Sequence, residues 1–122
     1  MVKESKDVEE GKLAAILSYL LVGIIWYFAD EKMKNNSFVK FHVKQGIVLI
    51  IASIVYSIVL GILFSLILFP LMFTGAGLGI IAIFRLLYYV PLVLSILGII
   101  NAANGKEKEL PIIGHFAKKF SF

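Results

Sequence analysis

QGIVLIIASIVYSIVLGILFSLILFPLMFTGAGLGIIAIF, Gln45 to Phe84, runs for forty residues without one Asp, Glu, Lys, Arg or His. A 122-residue soluble domain has no interior large enough to hide such a stretch. The hydrocarbon layer of a bilayer is about 30 Å thick and takes about 20 apolar helical residues to cross. The stretch therefore holds more than one crossing, and lipid is the expected solvent for most of its side chains.

The rest of the chain agrees. Hydrophobic residues make up 60% and charged residues 16%, against roughly 45–50% and 25% in soluble domains. The length allows a single domain. With no cysteine, disulfides, thiolate metal sites and cysteine nucleophiles are excluded. The net charge of +4 is scattered: −1 over residues 1–12, +2 over 30–44, +1 at Arg85 and +2 over 106–122. Patches at the edges of apolar runs suit anionic lipid head groups; nucleic acid needs one continuous basic face.

The expected fold is an all-α integral membrane protein with three transmembrane helices, over about residues 13–29, 47–69 and 78–103. The first closes on Trp26, Tyr27 and Phe28, an interfacial aromatic belt. A signal peptide is the rival reading, but Asp7, Glu9 and Glu10 make its leading segment acidic and no small-x-small cleavage site follows. Pro70 ends the second span, and Gly75, Gly77 and Gly79 mark a flexible turn. The third ends at Asn104-Gly105, with Pro91 expected to kink it. Arg85 lies inside the third apolar run. Two readings stay open there: it reaches the outer interface beside Tyr88 and Tyr89, or it faces inward with a functional role. Equally, residues 71–84 either belong to the third span or form a re-entrant hairpin before it.

Three spans put the loop 30–46 and the tail 104–122 on one side, with eight lysines between them. Lys3, Lys6, Lys12 and a snorkelling Arg85 fall on the other. The side with eight is expected to be cytoplasmic. That predicts a multi-pass cell-membrane protein with its N-terminus outside and its C-terminus inside.

Side chains that could do more than fill space are few. Ser53, Ser57, Gly61 and Ser65 recur every four residues, a small-residue stripe suited to helix packing; Gly75/Gly79 and Gly98/Ala102 repeat the spacing. Ser37 is expected to cap a short amphipathic helix that runs unbroken into the second span. On that helix Lys40 and Lys44 share one face, as expected of contacts to lipid head groups. His42 and Gln45 share another with Phe38 and Phe41, pointing into the bundle. Histidine titrates near neutral pH, so ligand contact or proton handling stands beside a plain interhelical hydrogen bond for His42. No carboxylate or second histidine sits at ligand spacing, so no metal and no cofactor is expected. Beyond residue 105, Ile112, Phe116 and Phe120 repeat at i, i+4, i+8 beside Lys118 and Lys119, a short basic interfacial segment with head-group lysines. Its docking onto the His42 segment is compatible with both lying on one side.

Two motifs together carry a family resemblance. One is Phe38-Val39-Lys40-Phe41-His42-x-x-Gln45, after a first span ending in aromatics. The other is Gly105-Lys106-x-x-x-Leu110-Pro111-Ile112-Ile113-Gly114-x-x-Ala117. Over about residues 12–120 the chain resembles a prokaryotic family of small, uncharacterised three-span membrane proteins, itself similar to the Tic component of protein import at the chloroplast inner envelope. The resemblance implies a multi-pass membrane location, and a transport or translocation role as the alternative function. The residues themselves show no nucleophile–base pair, carboxylate pair or phosphate-binding loop, so an enzyme is not expected. The leading expectation is a non-enzymatic assembly or scaffold component. Its expected partners are the bilayer, a homo-oligomer or other membrane proteins, and not nucleic acid. His42, Gln45 and Arg85 are its candidate functional polar residues.

Overall fold

The computed structural model describes residues 2–122, with side chains from Lys6 onward; Lys3, counted above in the outer flank, lies outside the described side chains. Among the described residues every regular element is helical. They are α1 (Val2–Leu17), a 3-10 turn (Ser18–Leu20), α2 (Val22–Ala29), α3 (Glu31–Lys34), α4 (Ser37–Leu71), α5 (Gly77–Tyr88), α6 (Val90–Ala103) and a second 3-10 helix (Gly114–Lys119).

Two stretches are long and apolar enough to cross a membrane: α4, 35 residues, and the pair α5–α6, 27 residues over Gly77–Ala103. Only 17% and 6% of their most apolar windows are buried inside the chain. A core helix of a soluble protein would be enclosed on most sides, whereas these present Ile54, Ile58, Leu66 and Leu78 outward. Exposed apolar surface on this scale marks a membrane or protein contact.

The expected first span is not one helix. Helical geometry breaks at Ser18–Leu20, and Leu21 takes φ +74°, a left-handed conformation that a branched side chain adopts only under surrounding constraint. The chain reverses there, and α2 packs back against α1. Residues 13–29 thus form a helical hairpin whose tip exposes Leu20, Leu21 and Val22. Asp30 stops α2 and caps α3, its carboxylate accepting from the Lys32 amide at 2.9 Å and the Trp26 indole at 3.3 Å.

Asn36, and not Ser37, caps α4: its side-chain oxygen accepts from the amides of Phe38 at 3.0 Å and Val39 at 3.1 Å. Ser37 instead donates its hydroxyl to Asp7 at 2.7 Å, and Asn36 donates to the Asp7 carbonyl at 2.8 Å. Those bonds tie the start of α1 to the start of α4. The lead-in helix continues into the apolar run without interruption, as its spacing predicts. Near its end α4 widens into a π turn at Phe64–Leu68 ahead of Pro70, the usual accommodation of a helix to a missing amide hydrogen.

Residues 77–84 are helical and lie within the second long apolar stretch. A turn at Tyr89 separates α5 from α6. Pro91 has no amide hydrogen, which frees the carbonyl of Leu87 four residues back. The Tyr56 hydroxyl of α4 donates to that carbonyl at 2.7 Å. A side chain from the neighbouring helix thereby adds to the backbone amide that the same carbonyl accepts at the end of α5. The Phe64 and Phe84 rings meet at 5.1 Å toward the far end. After Ala103 the chain leaves the helix through a Schellman motif. Gly105 at φ +70° donates to Ala102 at 3.1 Å, and Lys106 donates to Asn101 at 2.9 Å.

Candidate functional site: a buried polar lock

Most buried residues gather at one end, where α1, the first half of α4, the end of α6 and the tail converge. Phe38, His42, Gln45 and Ser18 are each less than 2% exposed there. His42 sits at the centre. Its Nε2 lies 2.9 Å from the Lys106 carbonyl and its Nδ1 2.6 Å from the Tyr19 hydroxyl. A carbonyl can only accept, so Nε2 carries the proton and Nδ1 accepts from Tyr19. One imidazole thus joins α4, the hairpin tip and the chain just beyond α6. The rings of Phe38, Phe41 and Tyr19 meet it edge-on at 4.7, 5.1 and 5.6 Å and keep out water.

Around this centre each polar group has a defined partner. The Ser18 hydroxyl lies 2.6 Å from the Ala15 carbonyl and 3.0 Å from the His42 carbonyl. Ser95 of α6 donates to the Tyr19 carbonyl at 3.1 Å, catching a group left free by the helix break. Gly98 faces the Tyr19 ring so closely that any Cβ there would collide with it. One turn of α4 beyond His42, Gln45 uses both ends of its amide. It donates to the Gly114 carbonyl at 3.0 Å and accepts from the Leu110 amide at 3.0 Å. The tail, which lacks regular structure between Lys106 and Leu110, is held on α4 by these two side chains. Among the described residues no buried side-chain nitrogen or oxygen is left without a partner. Nor do three His, Asp or Glu side chains cluster there as metal ligands would.

His42 and Gln45 therefore share one buried site. Arg85 is elsewhere, exposed on α5. Lys44 donates to the Phe120 carbonyl at 3.2 Å and lies 5.3 Å from the Phe122 ring centroid, so it helps to pin the tail. Lys40 is half-buried. Lys118 is exposed and pairs with Glu109 at 3.4 Å, and exposed Lys119 lies 5.2 Å from the Phe116 ring centroid. On the small-residue stripe Ser53 bonds back to the Leu49 carbonyl at 2.6 Å. Ser57 and Ser65 are exposed, and beyond the backbone of its own helix no described atom lies within 4 Å of a Cβ built on Gly61. The stripe therefore faces outward from the chain. The interfacial segment forms a 3-10 helix only from Gly114; Ile112, in the turn before it at φ +69°, is 86% exposed.

Sequence reasoning missed Ser18, Tyr19 and Ser95, as well as the main-chain groups of Lys106, Leu110 and Gly114. One signal was present: Ser18-Tyr19 interrupts an otherwise apolar run with two hydrogen-bonding side chains, which membrane interiors tolerate only where they are satisfied.

No curated protein and no solved structure matches the chain. The resemblance to a small membrane-protein family stands, but nothing supports the similarity to the Tic import component or the transport role that it implied. Over residues 10–117, nearly its whole length, this chain matches and belongs to the MamF/MmsF family, the magnetosome magnetite crystal formation protein family.

Proposed function

We propose that the chain is a non-enzymatic scaffold of the magnetosome membrane, acting in magnetite crystal formation through assembly with itself or with other membrane proteins. The family carries the process. The single structural observation supporting a scaffold is that His42 and Gln45 spend their hydrogen-bonding atoms on the chain itself. His42 is bonded at both ring nitrogens, and Gln45 at both ends of its amide. Outward-facing apolar surface on α4, α5 and α6 offers the area through which such a scaffold would meet partners.

The accompanying topology has two crossings. Asp7 bonds to Asn36 and Ser37, and Val8 packs on the cluster that holds Ala102 and Leu110. The start of α1, the start of α4 and the tail therefore lie at one end, which favours both termini on one side over the opposed termini of a three-span reading. Eleven of the twelve basic residues precede Gln45 or follow Gly105, so that side faces the cytoplasm. From residue 50 to residue 71, α4 extends about 33 Å, one bilayer core. The apolar tip of the α1–α2 hairpin dips into the near leaflet.

Complementation tests the role. A magnetosome-forming host lacking its own member of this family should regain a normal crystal size distribution when it expresses this chain, and the chain should fractionate with the magnetosome membrane. Correct localisation with no change in the crystals would refute the proposal.

A further inference from the structure

Between the tail and the mid-portion of α4 runs an open groove of about 590 Å³, within the roughly 300–1,000 Å³ usual for small-molecule sites. Val48, Ile51, Val55 and Val59 form its floor and Phe116 and Phe120 its wall. From Val48 to Val59 the floor extends about 16 Å along the helix, and one leaflet of the hydrocarbon layer is about 15 Å deep. The only charged side chain lining it is Lys119. Two observations place that lysine at the end nearer the tail-side membrane face. Lys44 holds the carbonyl of the adjacent Phe120, and the floor runs from there toward Val59. Lys118 next to it is paired with Glu109, and Lys119 lies over the Phe116 ring. The groove is thus apolar along its length and cationic at one end, the complement of an amphiphile with one anionic head.

We propose that this groove binds one anionic phospholipid, an acyl chain lying along the α4 floor and the phosphate held by Lys119. The proposal rests on the membrane placement given above. A second protein helix is a poorer occupant, because the wall is a six-residue 3-10 helix and the one charge lies at the end rather than along a seam.

Purified protein reconstituted into bilayer discs of phosphatidylglycerol and phosphatidylcholine in equal amounts, then released for native mass spectrometry, provides the test. The expected result is one retained phosphatidylglycerol, favoured about ten-fold over phosphatidylcholine. Lys119→Gln should erase the preference while leaving retention. Val55→Trp, which fills the groove from a position already exposed, should lower retention of both lipids about ten-fold, with helicity by circular dichroism unchanged. Val59→Trp serves as a second filling variant should the first unfold. Equal retention by the filled variants, or no head-group preference in the wild type, would overturn the groove. Wild-type protein extracted from membranes by alkaline carbonate would instead refute the membrane placement, and the groove with it.

Discussion

The two ends of this molecule use hydrogen bonds in opposite ways. In the head, residues 37–49 of α4 are enclosed by α1, α2, α6 and the tail, and His42, Gln45, Tyr19 and Ser18 bond across elements. In the legs, residues 50–94, the side chains are mostly apolar and largely exposed, and the Tyr56 hydroxyl reaches across to the Leu87 carbonyl. Between legs in lipid there is little hydrophobic drive, since the tails are as apolar as the side chains. Compactness in the head comes from polar bonds shielded by aromatic rings; the legs can stay splayed because lipid solvates them.

Substitutions that strike the head should accordingly cost more than those in the legs. The largest effect is expected for His42→Leu. It leaves the Tyr19 hydroxyl and the Lys106 carbonyl buried without partners, at about 1–3 kcal/mol each, and thermal unfolding in mild detergent should report a loss of about 2–5 kcal/mol. A wild-type midpoint would show that the imidazole bonds contribute nothing. Gln45→Leu follows, orphaning the Leu110 amide and the Gly114 carbonyl. Here the readout is local: the tail beyond residue 106 should become cleavable by trypsin while the spans remain protected. Unchanged cleavage would separate tail docking from Gln45.

Tyr56→Phe removes the hydroxyl that bonds the Leu87 carbonyl across the helices, and cross-helix bonds in membranes average only about 0.6 kcal/mol. A small drop in unfolding midpoint is expected; a loss as large as that of His42→Leu would erase the contrast between head and legs. Gly61→Leu should change the stability of a single chain least, because a Cβ there has open space around it. If the small-residue stripe mates with a second copy, self-association measured by sedimentation in detergent should weaken. Unchanged association would remove the stripe from the interface.

Much of this architecture was legible in the amino-acid pattern. The uncharged run from Gln45 to Phe84 pointed to adjacent apolar helices long enough to cross a membrane, and the 100° spacing put His42 and Gln45 on one inward face. What the pattern concealed is tertiary. Residues 13–29 are as apolar as a crossing, and only the left-handed Leu21 with its supporting contacts turns them into a hairpin. Choosing Asn36 over Ser37 as the cap depended on Asp7, about thirty residues away, occupying the serine. Partners of His42 and Gln45 are mainly backbone groups of a tail that has no periodicity to read. Arg85 was drawn toward the candidate site because it is rare in an apolar run, yet its place on α5 separates it from the lock.

The central claim is that the head sits on one side of a membrane crossed twice. Single cysteines at Glu9, Asn35, Thr74 and Ser121, probed in intact cells with a membrane-impermeant maleimide, test it most directly. The account predicts protection at positions 9, 35 and 121 and labelling at 74 alone. Labelling at position 9 with protection at 121 would place the termini on opposite sides and contradict it.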